Sequence, residues 1–155
     1  MPESSALPSE EVTNYLATRF GVSRDFLARL AFVENRGEIW ACRPPALTLH
    51  VRGRRPPGLR ALRRAPDGLK PTSAFLVALG PEVTAGLADV TREELRLLLL
   101  GQRIPSTHAP GYVALAYGGD VLGCGRVANA ALQALIPTGR RGELLSILRA
   151  DFAAM

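Results

Sequence analysis

Lysine is almost missing from this chain: its 155 residues carry 19 basic side chains, and Lys70 is the one lysine among them. Cysteine and histidine are as scarce, with two of each. Cys42 and Cys124 lie far apart with no Cys-x-x-Cys partner, and His50 and His108 complete no zinc-ligand spacing, so no metal site is expected. Two small buried thiols are the expectation for such cysteines, with a single disulfide between them left open. Long apolar runs are also lacking. Leu97 to Leu100 and Ala74 to Leu79 fall well short of the ~20 residues that cross a bilayer. The opening residues Met1 to Ser5 show no basic stretch followed by an apolar one, so no secretory leader is expected. These absences lead us to expect a soluble, cytoplasmic protein with no membrane partner.

What is present is a globular composition, 47% hydrophobic and 21% charged. That supplies enough apolar surface to offset the entropy of ordering a backbone. The formal net charge is +5 and the pI about 10.0. The other eighteen cations are arginines. A guanidinium grips a phosphate with two hydrogen bonds and stacks on a base, whereas an ammonium is a point charge. A basic chain of this kind suits a polyanion. Arginine-for-lysine bias also follows from genomic base composition or growth temperature, so composition leaves the question open. The densest cluster is Arg52, Arg54, Arg55, Arg60, Arg63 and Arg64, read either as a phosphate-contacting patch or as a solvated face. Lys70, within Gly68 to Ser73, reads either as a binding residue or as an ordinary turn cation.

Local patterns give the organisation. Ser9 to Phe20 reads as an amphipathic helix with Ser9 as N-cap, Val12, Tyr15, Leu16 and Phe20 at helical spacing, and Gly21 as the stop. A short helix from Ser23 follows. Ala31 to Cys42 reads as a hairpin turning at Asn35, Arg36 and Gly37, with Glu34 and Glu38 on a polar face and Trp40 in the core. Leu47 to Val51 alternates like a strand, Leu59 to Arg64 alternates leucine with arginine up to a turn at Ala65 to Gly68, and Thr72 to Leu79 suits a buried strand or a short helix. Thr91 and Glu94 form a capping-box pattern ahead of a helix that ends at Gly101, and Pro105 to Pro110 reads as a loop. Tyr112 to Tyr117 and Val121 to Val127 read as strands around a turn at Gly118, Gly119 and Asp120. Glycines at 123 and 125 point to a close approach or a corner. Ala131 to Ile136 suits a further strand, and Leu144, Leu145 and Leu148 a closing helix.

The block from Gly111 to Val127 combines a Gly-aromatic-Val strand, a glycine turn and a Leu-Gly-x-Gly strand. With Leu132 to Arg141 after it, the block resembles the PUA-like RNA-binding region at the C-terminus of Fmu/Sun-type RNA 5-methylcytosine methyltransferases. Val90 to Ile104 is similar to the strand and helix that open such domains. Upstream, Phe32 to Trp40, Gly58 to Arg63 and Lys70 to Leu79 are similar to the region just before it. The resemblance implies an α+β chain: an N-terminal α/β module over 1–82, then a small PUA-like β-barrel over 83–155. It also implies a stand-alone protein of rRNA or tRNA maturation or ribosome biogenesis.

The family's Rossmann-like domain, glycine-rich cofactor loop and paired cysteine motifs have no counterpart here. Cys42 precedes Arg43, Pro44 and Pro45, and Cys124 sits inside the Leu-Gly-x-Gly strand. Catalysis is therefore not carried over, and no cofactor is expected. Ser106, His108 and Asp120 supply the residue types of a hydrolytic triad without an orienting motif around them. The expected partner is structured RNA, ribosomal or transfer. Arg52, Arg54, Arg55, Arg60, Arg63, Arg64, Lys70, Arg103, Arg126, Arg140 and Arg141 are expected to supply its cationic contacts, and Tyr117 or Tyr112 a stacking face. The alternative partner is a separate RNA-modifying enzyme or ribosome-assembly factor, with this chain as the adaptor docked on it.

Overall fold

The computed structural model describes residues 7–49 and 56–153, and the chain divides into two compact units, Met1–Gly86 and Leu87–Met155. The division falls a few residues beyond Glu82 because the segment after Pro81 completes the first helix. The Thr84 and Ala85 amides donate to the Phe20 carbonyl at 2.9 and 3.0 Å, and the Thr84 hydroxyl donates to the Gly21 carbonyl at 2.7 Å. These bonds satisfy carbonyls that a helix C-terminus leaves without partners.

In the first unit, helix α1 spans Leu7–Phe20. It begins ahead of Ser9, so Ser9 is not its N-cap. Pro8 sits in the opening turn, where an amide hydrogen is not needed. Val12, Leu16 and Phe20, each four residues on from the last, are fully buried, and Tyr15 meets Phe20 edge to face at 5.8 Å. Each such side chain contributes about 2 kcal/mol by leaving water. Helix α2 (Arg24–Leu27) follows, its Ser23 hydroxyl accepting from the Phe26 amide. Strands β1 (Ala31–Asn35), β2 (Glu38–Cys42), β3 (Leu59–Ala65) and β4 (Gly68–Pro71) form an antiparallel meander in that order. Its first turn has positive φ at Arg36 and Gly37, the two-residue hairpin geometry that matches strand twist. Leu47 to Leu49 correct the expected strand: Pro44–Leu49 is a 3-10 helix, with prolines where a helical first turn tolerates them, while His50 and Val51 lie outside the described residues. A bulge opposite Ile39 and Trp40 makes Ala61 and Leu62 consecutive buried residues of β3. Helix α3 (Ser73–Leu79), capped by Thr72, packs on β3 as α1 packs on β1, and Phe75 meets Phe32 edge to face.

The second unit holds a five-stranded sheet in the order β5 (Leu87–Asp89), β7 (Gly111–Tyr117), β8 (Asp120–Ala128), β9 (Ala131–Ala134), β6 (Ile104–Pro105). Strand β5 runs parallel to β7, and every other pair is antiparallel. Helix α4 (Arg92–Leu99) starts at a complete capping box, with the Thr91 hydroxyl accepting from the Glu94 amide and the Glu94 carboxylate from the Thr91 amide. Helix α5 (Thr138–Ala153) packs against α4. Leu95, Leu98, Val113, Leu115, Val127, Leu132 and Leu144 share one buried core in this unit. Glycine at 125 admits that core: a Cβ there would lie 2.9 Å from Leu115 Cδ2 and 3.1 Å from Leu132 Cδ1. Cys42 and Cys124 are buried free thiols. Burial raises the Cys42 thiol pKa, the direction that suits a structural thiol. Among the described residues, no helix is long and apolar enough to cross a membrane.

Candidate nucleic-acid interface

Strand register sorts the arginines. On β8, Gly125 and Val127 face the buried core, so Arg126 between them faces the other way. Arg126 stands directly opposite Gln133 of β9 and Tyr112 of β7. Ile104 of β6 pairs with Leu132, and the same register carried back one residue sets Arg103 beside Gln133. A row of Tyr112, Arg126 and Gln133 therefore crosses three strands, and Arg103, the residue just ahead of β6, extends it. Arg103 and Arg126 are exposed, Gln133 is half-buried and Tyr112 is buried.

On the same face, past the inward pair Val127 and Leu132, the next cross-strand pair is Ala128 opposite Ala131. Two methyl groups flanked by long side chains leave a recess of about 110 Å³, lined by Arg103, Arg126, Ala128, Asn129, Ala131 and Gln133. Asn129 and Ala130 make the two-residue turn, with φ of 54° and 61°. Asparagine tolerates this left-handed region, whereas alanine is strained there by about 1 kcal/mol. The Ser106 amide donates to the Ala130 carbonyl at 3.0 Å and fixes the turn.

The first unit gathers a second group. Glu38 of β2, Arg63 of β3 and Lys70 of β4 occupy one cross-strand row, and Arg60 donates to the Glu38 carboxylate at 2.9 Å. Arg63 and Lys70 are thus neighbouring cations with one carboxylate at the end of their row. Arg52, Arg54 and Arg55 lie outside the described residues.

Arg64 is built into the fold instead. It grips the Glu34 carboxylate through Nε and Nη2 at 2.7 and 3.0 Å, and the Glu11 carboxylate through Nη1 and Nη2 at 3.1 and 2.8 Å. The hydrogen bonds from Arg64 hold the Glu11 carboxyl below its ordinary range, and both glutamates raise the Arg64 pKa. This network ties α1 to β1 and β3. Its members are 25–49% exposed, so solvent screens it, and Arg64→Ala is expected to cost about 1 kcal/mol in urea unfolding at pH 7. Because the folded Glu11 pKa is depressed, its contribution is present above the unfolded value near 4.5 and is lost as pH falls through the folded one. The gap between wild type and Arg64→Ala should therefore narrow below pH 4.5. A gap that stays constant down to pH 3 would contradict the assignment.

The remaining expected contacts are dispersed. Arg140 pairs with Glu143 in the first turn of α5 at 3.3 Å. Arg141 donates to the Thr138 hydroxyl at 3.0 Å and reaches Gly101 at the end of α4, where a cation complements the helix dipole. Tyr117 packs against the core of the second unit. His108 meets Ser106 only through its backbone amide, which donates to the Ser106 hydroxyl at 3.1 Å in a local turn. Among the described residues, no group of three His, Cys, Asp or Glu side chains suits a metal.

Gln133 and Asn129 escaped the sequence reading. The alternation Leu132, Gln133, Ala134 carried the signal for Gln133, since a polar residue between two apolar ones in a strand faces away from the core. A further depression of about 540 Å³ runs between α4 and α5, with Leu145 and Leu148 bordered by Arg92, Glu93, Arg96 and Arg149. There Arg96 pairs with Glu93 at 2.6 Å and Arg92 donates to the Leu148 carbonyl. Compared with models of known protein families and with curated protein sequences, the chain matches none.

Proposed function

We propose that this chain binds structured RNA, ribosomal or transfer, as a non-catalytic factor in RNA maturation or ribosome biogenesis. One observation carries the reading: the row of Arg126, Gln133 and Arg103 beside an open recess, with Tyr112 at its end. Two guanidiniums there suit phosphates, and a carboxamide between them offers both a donor and an acceptor to a base edge. The Arg63 and Lys70 pair adds a second cationic contact. The PUA-like assignment of the second unit belongs to the same proposal. It is supported by the motif block falling on consecutive strands β7, β8 and β9.

Filter binding of a transfer RNA or a ribosomal RNA hairpin across a salt series tests the reading. Affinity is expected to fall linearly on a log–log plot, since each neutralised phosphate releases counterions. Affinity indifferent to salt, or no binding at low salt, would defeat it.

The groove between α4 and α5 favours a second reading, an adaptor that docks a helix of an RNA-modifying enzyme or assembly factor. Leucines bordered by arginines suit the apolar face and acidic flanks of an amphipathic helix. A partner that stays bound after nuclease treatment, and is released by Leu145→Glu, is the result expected on that reading. Release by nuclease alone would remove it.

A further inference from the structure

We propose that the recess at the β8–β9 turn takes one unpaired nucleotide, its base lying over Ala128 and Ala131 and its flanking phosphates held by Arg103 and Arg126. The inference rests on the RNA-binding reading and names the form of RNA that the site selects. Four features converge on it. The recess exists because the two side chains facing each other across β8 and β9 are methyl groups, while their neighbours in the adjoining row are Arg126 and Gln133. A flat base fits over such a pair, and a bulky side chain would not leave the room.

Arg103 and Arg126 stand two strands apart, about 10 Å at the backbone, on either side of Gln133. A nucleotide has the same layout, a phosphate at each end and a base between them. Gln133 and Asn129 bring carboxamides to the same recess, and each can donate and accept at once, as reading a base edge requires. The turn that presents Asn129 keeps a non-glycine residue, Ala130, in the left-handed region, and the Ser106 amide pins its carbonyl. Such strain concentrates where a local shape serves binding.

Paired RNA does not meet this requirement. The deep groove of an A-form helix closes its base edges to side chains, whereas an unpaired base can be splayed onto a protein surface. The site therefore discriminates a bulged or looped nucleotide from the same sequence fully paired.

Two RNA hairpins that differ by a single bulged 2-aminopurine nucleotide provide the test, with fluorescence anisotropy for affinity and 2-aminopurine emission for unstacking. Wild type is expected to prefer the bulged hairpin by about tenfold, the size of one base-edge recognition, with emission changing on binding. Ala131→Leu fills the recess and should bring the two affinities together, while affinity for the paired hairpin and its salt slope stay as in wild type. Gln133→Ala leaves the recess open and should weaken the preference in the same direction, which covers the case that leucine at 131 disturbs β9. Equal affinities in wild type, or a preference that survives both substitutions, would overturn the proposal and leave RNA binding standing. Loss of binding to both hairpins at low salt in wild type would overturn the two together.

Discussion

Reversing charge at Arg103 and Arg126 together should lower RNA affinity by about 100-fold at low salt, the effect of losing two charge-assisted phosphate contacts. The log–log salt slope should become shallower by roughly 1.5, because each lost phosphate contact withholds its released counterions. Both residues are exposed and face away from the buried core, so Arg103→Glu with Arg126→Glu should keep the native fold, read as an unchanged far-UV circular dichroism spectrum. Arg64→Ala, which removes one charge where the double reversal changes four, is the comparison. Its guanidinium is already bound to two carboxylates, so removing it should cost stability and leave RNA affinity unchanged. If Arg64→Ala weakened binding by a quarter or more of the double reversal's loss in log affinity, the share of the total charge change that it carries, net charge would be governing affinity and the row would have no special role.

Among the described glycines of the first unit, Gly58→Ala should be the most damaging methyl addition. A Cβ there would lie 2.1 Å from the Ala41 carbonyl oxygen and 2.7 Å from Cys42 Cβ, and the residue has φ of +99°. The obstacle is backbone of the paired strand β2, which cannot swing aside as a side-chain end can. Overpacking and an unfavourable φ each cost about 1–3 kcal/mol, so a loss of about 3 kcal/mol or more is expected. Gly37→Ala separates the two causes. It has φ of +81° and open space around its missing Cβ, so only the backbone term of about 1 kcal/mol applies. Urea unfolding of the two variants should give clearly different midpoints, and equal midpoints would contradict the steric account.

Features that depend on a few neighbouring residues were legible in the sequence. The capping box at Thr91 and Glu94, the hairpin turns at Arg36 and Gly37 and at Gly118 and Gly119, and the buried stripe of Val12, Leu16 and Phe20 all declare themselves within one or two turns of chain. What stayed hidden depends on tertiary partners. Arg64 looks like its neighbours Arg60 and Arg63, and only the return of Glu11 and Glu34 from far up the chain commits it to the fold. Leu47 to Leu49 alternate as a strand does, yet the prolines ahead of them set a 3-10 turn. Strand β6 has two residues, too few to show any period, although it is what brings Arg103 next to Gln133. Ala130 at positive φ leaves no trace in composition, since alanine there is the residue least suited to the turn.

The shortness of the β8–β9 connection limits how this chain can vary. Arg126 and Gln133 face each other because two residues, Asn129 and Ala130, join their strands. One residue more or fewer would slide β9 by a single step, turning Leu132 toward solvent and Gln133 into the apolar interior. The length of that connection is thus fixed for as long as the two faces of the strand must keep their separate occupants.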